Sequence, residues 1–231
     1  MQIGSKEWSD LIIDSARTLG IELRPDHTRQ FAAHARELMQ WNKTFNITSI
    51  VDPGEIALKH FVDSLPAAKQ ISPDATLLDI GSGGGFPGIP LKILIPALTV
   101  TLIDASRKKA NFLKHVIRCL KLKQIEALHA RAENLVSDLQ NLQRFDAIIS
   151  RALSDLPTYI RLAKPLLAPG GIIIALKGQA NSSELIDFHT YFDEEGLAIQ
   201  ATARNSGVHV ENYNLPFINS QRSIIVLSGI A

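Results

Sequence analysis

The densest chemical signal in the sequence is the run Asp79-Ile80-Gly81-Ser82-Gly83-Gly84-Gly85-Phe86-Pro87-Gly88. Five glycines within eight residues exceed what a plain turn needs. They permit positive φ angles and let the backbone come close to a ligand. Gly83, Gly85 and Gly88 satisfy the G-x-G-x-x-G spacing of dinucleotide-binding turns, and Asp104 follows where a ribose-binding acid belongs. A nicotinamide dinucleotide therefore scores on spacing. Asp79 points elsewhere: a carboxylate directly before the first glycine repels a pyrophosphate but attracts a cationic or amino-bearing ligand. S-adenosylmethionine carries a sulfonium and an α-amino group and no phosphate, so Asp79 with Asp104 suits it better. The competing structural roles are helix N-terminus partner for Asp79 and plain helix cap for Asp104.

Further residues follow in an order that fits the same cofactor. Ala132-Glu133 come after the third expected strand, where a methyltransferase positions adenine. Ser150-Arg151-Ala152 end the fourth strand, beside the place a methyl group would occupy, and Lys177 ends the fifth. The structural alternative for Arg151 is an ion pair with Asp155, one turn on. His60 and Asp63 share a helix face at i, i+3 and suit hydrogen bonding in a substrate cleft. Nothing else clusters with them, so no metal site is expected. The sole cysteine, Cys119, lies on an apolar-rich helix and reads as core filler. Arg107, Lys108, Lys109, Lys114, Arg118, Lys121 and Lys123 form a run without an acid. Arg107, Lys114, Arg118 and Lys121 fall in one helical stripe that could meet phosphates without reading sequence, or be a solvated face.

These residues need a frame, and the hydrophobic pattern supplies one. Residues 1–70 read as helical. Trp8, Leu11, Ile12, Ser15, Ala16 and Leu19 follow helical spacing and stop at Gly20. Pro25 opens a second helix with Phe31, Ala35, Leu38 and Trp41 on its apolar face. Asp52-Pro53 cap a third, which ends near Pro66. From residue 75 short apolar strands (76–80, 100–104, 125–130, 145–150, 172–177) alternate with helical stretches (87–95, 106–121, 132–141, 155–167, 181–195). Such alternation predicts a parallel sheet covered on both faces. Strands over 197–204 and 223–229 close the chain, and 205–221 reads as a long loop. The fold class is therefore α/β, with residues 1–70 a helical extension and 71–231 a Rossmann-like domain.

Composition bounds the rest. The chain has 231 residues, 45% apolar and 20% charged, with 24 basic against 23 acidic side chains. A full core is affordable, and a whole-surface polycation is excluded. One cysteine excludes a disulfide framework and a cysteine-built zinc site, no metal is expected, and the count fits a reducing compartment. No signal-peptide pattern or apolar run of membrane-spanning length is visible. A cytoplasmic monomer is expected.

With these residues in hand, the chain from Trp41 to Val226 resembles the bacterial small-subunit ribosomal-RNA guanine-N7 methyltransferases, the glucose-inhibited division protein B family. The resemblance rests on Trp41-Asn42 with Asn46-Ile47-Thr48, the run from His60 to Leu65, LLDIGSGGGFPGIPLKI (77–93), LIDASRKKANFLKHV (102–116), ARAENL (130–135), FDAIISRAL (145–153) and LLAPGGIIIALKG (166–178). It implies a class I S-adenosylmethionine-dependent methyltransferase fold with a mostly parallel seven-stranded sheet. It also implies cofactor contacts at Gly81, Phe86, Ala132, Glu133 and Arg151, with Asp104 as ribose partner and Gly83 in the cofactor loop. The implied substrate is a guanine in the 530 loop of 16S ribosomal RNA (position 527 in the usual rRNA numbering), free or in the small ribosomal subunit. Guanine N7 has a free lone pair, so no general base is expected. The sequence agrees: the fourth strand ends without an Asn-Pro-Pro-Tyr-like motif, and no cysteine nucleophile stands near a strand end. Other readings are a methyltransferase for another RNA, a small molecule or a protein, an NAD-dependent oxidoreductase, and a non-catalytic RNA-binding module.

Overall fold

The computed structural model describes residues 1–137, 144–151, 155–178 and 207–230. The expected helix over 181–195 and strand over 197–204 lie outside the described residues, as do the end of the 132–141 helix and Ala152.

Capping chemistry sets the first elements. Ser5 accepts from the Trp8 amide and starts α1 (Lys6–Thr18), and Gly20 leaves it at φ 71°. α2 spans Pro25–Phe45, with Pro25 at its first position, and buries Phe31, Ala35 and Leu38. Asp52 caps α3 (Pro53–Glu55) through the Glu55 amide at 2.9 Å. The chain then departs from a simple helix. A π-helical turn covers Ile56–Phe61, and a 3₁₀ turn covers Val62–Ser64. Pro66 does not end the segment as expected. It opens a further 3₁₀ turn, Pro66–Gln70, because a proline at a first helical position gives up no needed N–H.

The strands are β1 (Thr76–Ile80), β2 (Thr99–Asp104), β3 (Ile125–His129), β4 (Phe145–Arg151), β5 (Leu167–Gly178), β6 (Gly207–Leu215) and β7 (Ser220–Ser228). They form one sheet in the order β3-β2-β1-β4-β5-β7-β6. The pairs from β3 to β5 are parallel, and β7 runs antiparallel to both β5 and β6. The helices between are α4 (Gly88–Leu94), α5 (Arg107–Cys119), α6 (Ala132–Ser137) and α7 (Leu156–Ala163). Side chains alternate across the sheet. Leu77, Leu102, Ile149 and Ile174 join one core with α1, α2 and the π turn. Leu78, Ile103, Ile148 and Ile173 join a second core with α6 and α7. The helical extension is thus a layer on one sheet face, and its inner side reaches the strand ends. No helix among the described residues is long and apolar enough to cross a membrane.

Three expectations need correction. The segment read as a loop over 205–221 holds β6 and the start of β7, joined by a tight turn. β6 is an edge strand with only Leu215 buried, so it lacks the alternation that reveals a strand. β5 begins at Leu167 rather than at 172, and its register with β4 shifts between Phe145 and Ala147. Cys119 is exposed, not core filler: it ends α5 at the solvent-facing rim of the contact with α2, beside His115.

Candidate active site

The glycine turn leaves β1 and is held from below by the neighbouring strand. The Gly81 and Ser82 amides donate to the Ile103 carbonyl at 2.9 and 3.0 Å. Gly81, Gly83 and Gly85 take φ angles of 74°, 57° and 91°. These are the positions where a side chain would be strained. A Cβ placed on Gly81 would meet no atom within 4 Å, so the backbone there faces open space.

Asp104 ends β2 beside the turn, as expected, whereas Asp79 differs from the expectation. Asp79 does not look out over the turn. It is fully buried beneath it, and Oδ2 accepts from the Gly88 amide at 2.9 Å, the helix-partner role. Its Oδ1 is buried with no hydrogen-bond partner among the described residues. Burial pushes its pKa up to about 7, against the pull of the Gly88 and Ser82 hydrogen bonds and the Arg151 charge. Asp104 ties the turn to α5: Oδ2 accepts from Gly83 N at 2.9 Å and Oδ1 from Ser106 N at 2.8 Å. Ala132 is buried and Glu133 exposed at the start of α6, just past the end of β3 and beside Asp104 in strand order.

Phe86 is turned inward. Its ring lies between His34 and His60, with centroids 4.8 and 4.5 Å away and planes within 15°. The Arg151 guanidinium lies 5.3 Å from the same ring. His34 was not singled out by the sequence reading, although a histidine three residues after Phe31 on a buried stripe is a usable signal. It is fully buried, and its Nε2 donates to the Gly84 carbonyl at 2.7 Å. Burial lowers its pKa to about 4. The helical extension therefore holds the glycine turn by the His34 hydrogen bond and by the His34, His60 and Phe61 rings around Phe86. His34→Leu keeps the apolar contact and removes the donor. We expect roughly tenfold weaker cofactor binding by calorimetry, the size of one lost buried hydrogen bond.

Beside the turn lies a cleft of about 350 Å³, lined by Lys59, His60, Asp63, Arg151, Lys177 and Arg222 with Ile50. Arg151 donates to the Lys59 carbonyl at 2.8 Å and to His60 Nδ1 at 3.3 Å. His60 Nε2 in turn meets the Thr48 hydroxyl at 3.0 Å, and Asn42 clamps Thr48 by two backbone bonds of 2.9 Å. Both ring nitrogens of His60 are engaged, and burial lowers its pKa to about 3, helped by the Arg151 charge. Asp63 accepts from the Tyr213 hydroxyl at 2.9 Å and from Arg222 Nε at 3.1 Å, with Arg151 Nη1 at 3.9 Å. Burial raises its pKa although both arginines oppose this.

The structure thus gathers His60, Asp63, Arg151 and Lys177 in one cleft, next to the turn carrying Gly81, Gly83 and Phe86. Asp155 is not the partner of Arg151; it caps α7 through Thr158 N at 2.7 Å. Lys114 and Arg118 are exposed on α5 and do not line the cleft. Tyr213 and Arg222 are opposite one another in the β6–β7 ladder; neither was singled out for the site, Tyr213 because it falls in the segment read as a loop and Arg222 because it stands just before the expected last strand. A second cavity of about 380 Å³ lies at the other end of the sheet, near Asp74, Asp146 and Gly170, and none of the expected site residues lines it.

Comparisons with known proteins bear on the family and the fold. The profile of the family described as rRNA small subunit methyltransferase G matches residues 27–208. A Geobacter sulfurreducens protein named Ribosomal RNA small subunit methyltransferase G is 41% identical over 215 residues, covering 93% of this chain and 94% of that protein. One of the same name from Desulfitobacterium hafniense is 45% identical over 169 residues, covering 73% of this chain and 70% of that protein. Among solved structures, the O-methyltransferase from Bacillus cereus in complex with SAH superposes with a TM-score of 0.58 at 18% identity, over 96% of this chain and 99% of the other. The fold is that of the class I S-adenosylmethionine-dependent methyltransferases, and the chain belongs to the rRNA small subunit methyltransferase G family.

Proposed function

We propose that this protein transfers a methyl group from S-adenosylmethionine to N7 of one guanine in the 530 loop of 16S ribosomal RNA. The observation that carries the chemistry is the state of His60 and Asp63, the cleft's imidazole and carboxylate. His60 is neutral with both nitrogens bonded, and Asp63 is held by Tyr213 and Arg222. His60 thus has no free ring nitrogen, and Asp63 is tied through Oδ1 into an ion pair with Arg222 rather than standing as a lone base. That suits a nucleophile that attacks with its own lone pair and needs only alignment.

The residues present fit the cofactor. The space over Gly81 is open, and Asp79 Oδ1 is an orphaned buried acceptor beneath the turn, matched to an ammonium or sulfonium. Gly81, Gly83 and Asp104 would hold the ribose and methionine portions, and Ala132 and Glu133 the adenine. When bound, S-adenosylmethionine supplies an electrophilic methyl group. Arg151 would meet the cofactor carboxylate or guanine O6, and Lys59, Lys177 and Arg222, which line the same cleft, would meet phosphates. Lys114 and Arg118 extend the basic surface along α5. We read the protein as a cytoplasmic monomer acting on 16S rRNA, free or within the small subunit.

A pH profile tests this reading. Asp79 with its raised pKa holds its proton more tightly folded than unfolded. Its contribution to stability is present at low pH and is lost as pH rises through about 7. A cationic ligand favours the ionised acid. Affinity for S-adenosylmethionine should therefore rise as pH rises toward about 7, with a proton released on binding, and level off above it, and Asp79→Asn should flatten that rise. At saturating cofactor kcat should stay level between about pH 6 and pH 8, since no base titrates. A kcat that climbs tenfold per pH unit over that range would show a general base and contradict the proposal.

A further inference from the structure

Away from the cleft, where α2 meets α5, three side chains of different donor type converge. His115 Nε2 lies 2.6 Å from Glu37 Oε2, and Cys119 Sγ lies 3.4 Å from the same nitrogen. The three donor atoms all lie within 4.8 Å of one another. The thiol is exposed, while the Glu37 and His115 side chains are 33% and 26% exposed. Trp41 packs against the imidazole with ring centroids 5.3 Å apart. The methyl-transfer reading uses none of the three donors. The sequence did not reveal the cluster, because Glu37 is 78 residues from His115.

We propose that Glu37, His115 and Cys119 form a binding site for a zinc-like divalent ion. His115 and Cys119 are four residues apart on α5, so both donors face one side of the helix a turn apart. Thiolate, imidazole and carboxylate together select a borderline-soft ion; magnesium and calcium take oxygen donors. Tetrahedral bonds of about 2.0–2.1 Å to nitrogen and oxygen and 2.3 Å to sulfur place N and S about 3.5 Å apart, and N and O about 3.3 Å apart. The observed 3.4 Å between His115 and Cys119 already matches. The Glu37 carboxylate has to withdraw by about 0.7 Å to reach that geometry, and its partial exposure leaves room for the movement. The exposed thiol side leaves the fourth position to water. The ion would tie α2 of the helical extension to α5 on the sheet, so its binding would strengthen the junction between those layers.

The test is titration of the metal-free full chain with cobalt(II), followed by zinc(II). One equivalent of cobalt should produce a thiolate-to-metal charge-transfer band in the near ultraviolet. Zinc should displace it and raise the thermal midpoint, whereas magnesium should not. Cys119→Ser, which leaves the core untouched, should lose the band. His115→Ala and Glu37→Gln should each weaken binding at least about tenfold, since loss even of outer-sphere support costs that much. Absence of the band, its survival in Cys119→Ser, or an equal midpoint rise with magnesium would overturn the proposal. The trio would then be a hydrogen-bonded helix contact only.

Discussion

Replacing Gly81 by valine is expected to abolish S-adenosylmethionine binding while the chain stays folded. A Cβ at this position points into open space and clashes with nothing in the protein. The space it enters is the one the cofactor would fill above the turn. A branched side chain there should weaken binding by more than about 10²-fold, near 3 kcal/mol or beyond. The φ of 74° adds backbone strain of roughly 1–3 kcal/mol that has nothing to do with the ligand. Gly170 separates the two effects. Its φ is 77°, it too has nothing within 4 Å of a built Cβ, and it lines the cavity at the opposite end of the sheet. Gly170→Val should lower the thermal midpoint about as much as Gly81→Val and bind the cofactor normally in calorimetry. Unchanged affinity in folded Gly81→Val would remove the glycine turn from the cofactor site.

Arg151→Ala should lower single-turnover methyl transfer by roughly 10²–10³-fold, the usual effect of deleting one positioned donor at a reacting centre. The guanidinium is fixed in three ways: by the Lys59 carbonyl, by His60 Nδ1 and by the Phe86 ring. Asp63 keeps Tyr213 and Arg222 when Arg151 is removed, so no buried charge is left alone and the fold should persist. Arg151→Lys should recover little, because an ammonium cannot make two planar bonds while lying against a ring. Transfer within threefold of the parent in Arg151→Ala would reduce the arginine to a structural tie between β4 and the helical extension.

The parts of this molecule that repeat a pattern could be read from the sequence. The five parallel strands, their order of appearance and the glycine turn all follow from apolar runs separated by helical spacing. Asp52, Gly20 and Pro25 mark helix ends through local chemistry, and the structure places them there. What escaped depends on contacts far apart in sequence. β6 is a polar edge strand, recognisable only through its ladder with β7. Tyr213 and Arg222 reach Asp63 across 150 and 159 residues, so no spacing rule connects them. Asp79 lies under the turn because β1 buries it there, and the start of α4 supplies the Gly88 amide to one of its oxygens. His34 bonds a carbonyl 50 residues away, and its stacking on Phe86 needs the helical layer to be in place first.

The central claim concerns one atom of one RNA. N7-methylguanine is cleaved by borohydride followed by aniline, so the modification can be mapped directly on 16S ribosomal RNA. RNA from cells that carry this protein should be cut at one guanine in the 530 loop, and RNA from cells lacking it should not. Re-expressed parent protein should restore the cut, and Arg151→Ala should restore it poorly. A cut that persists without the protein, or a lost modification that maps to another atom or another RNA, would contradict the account.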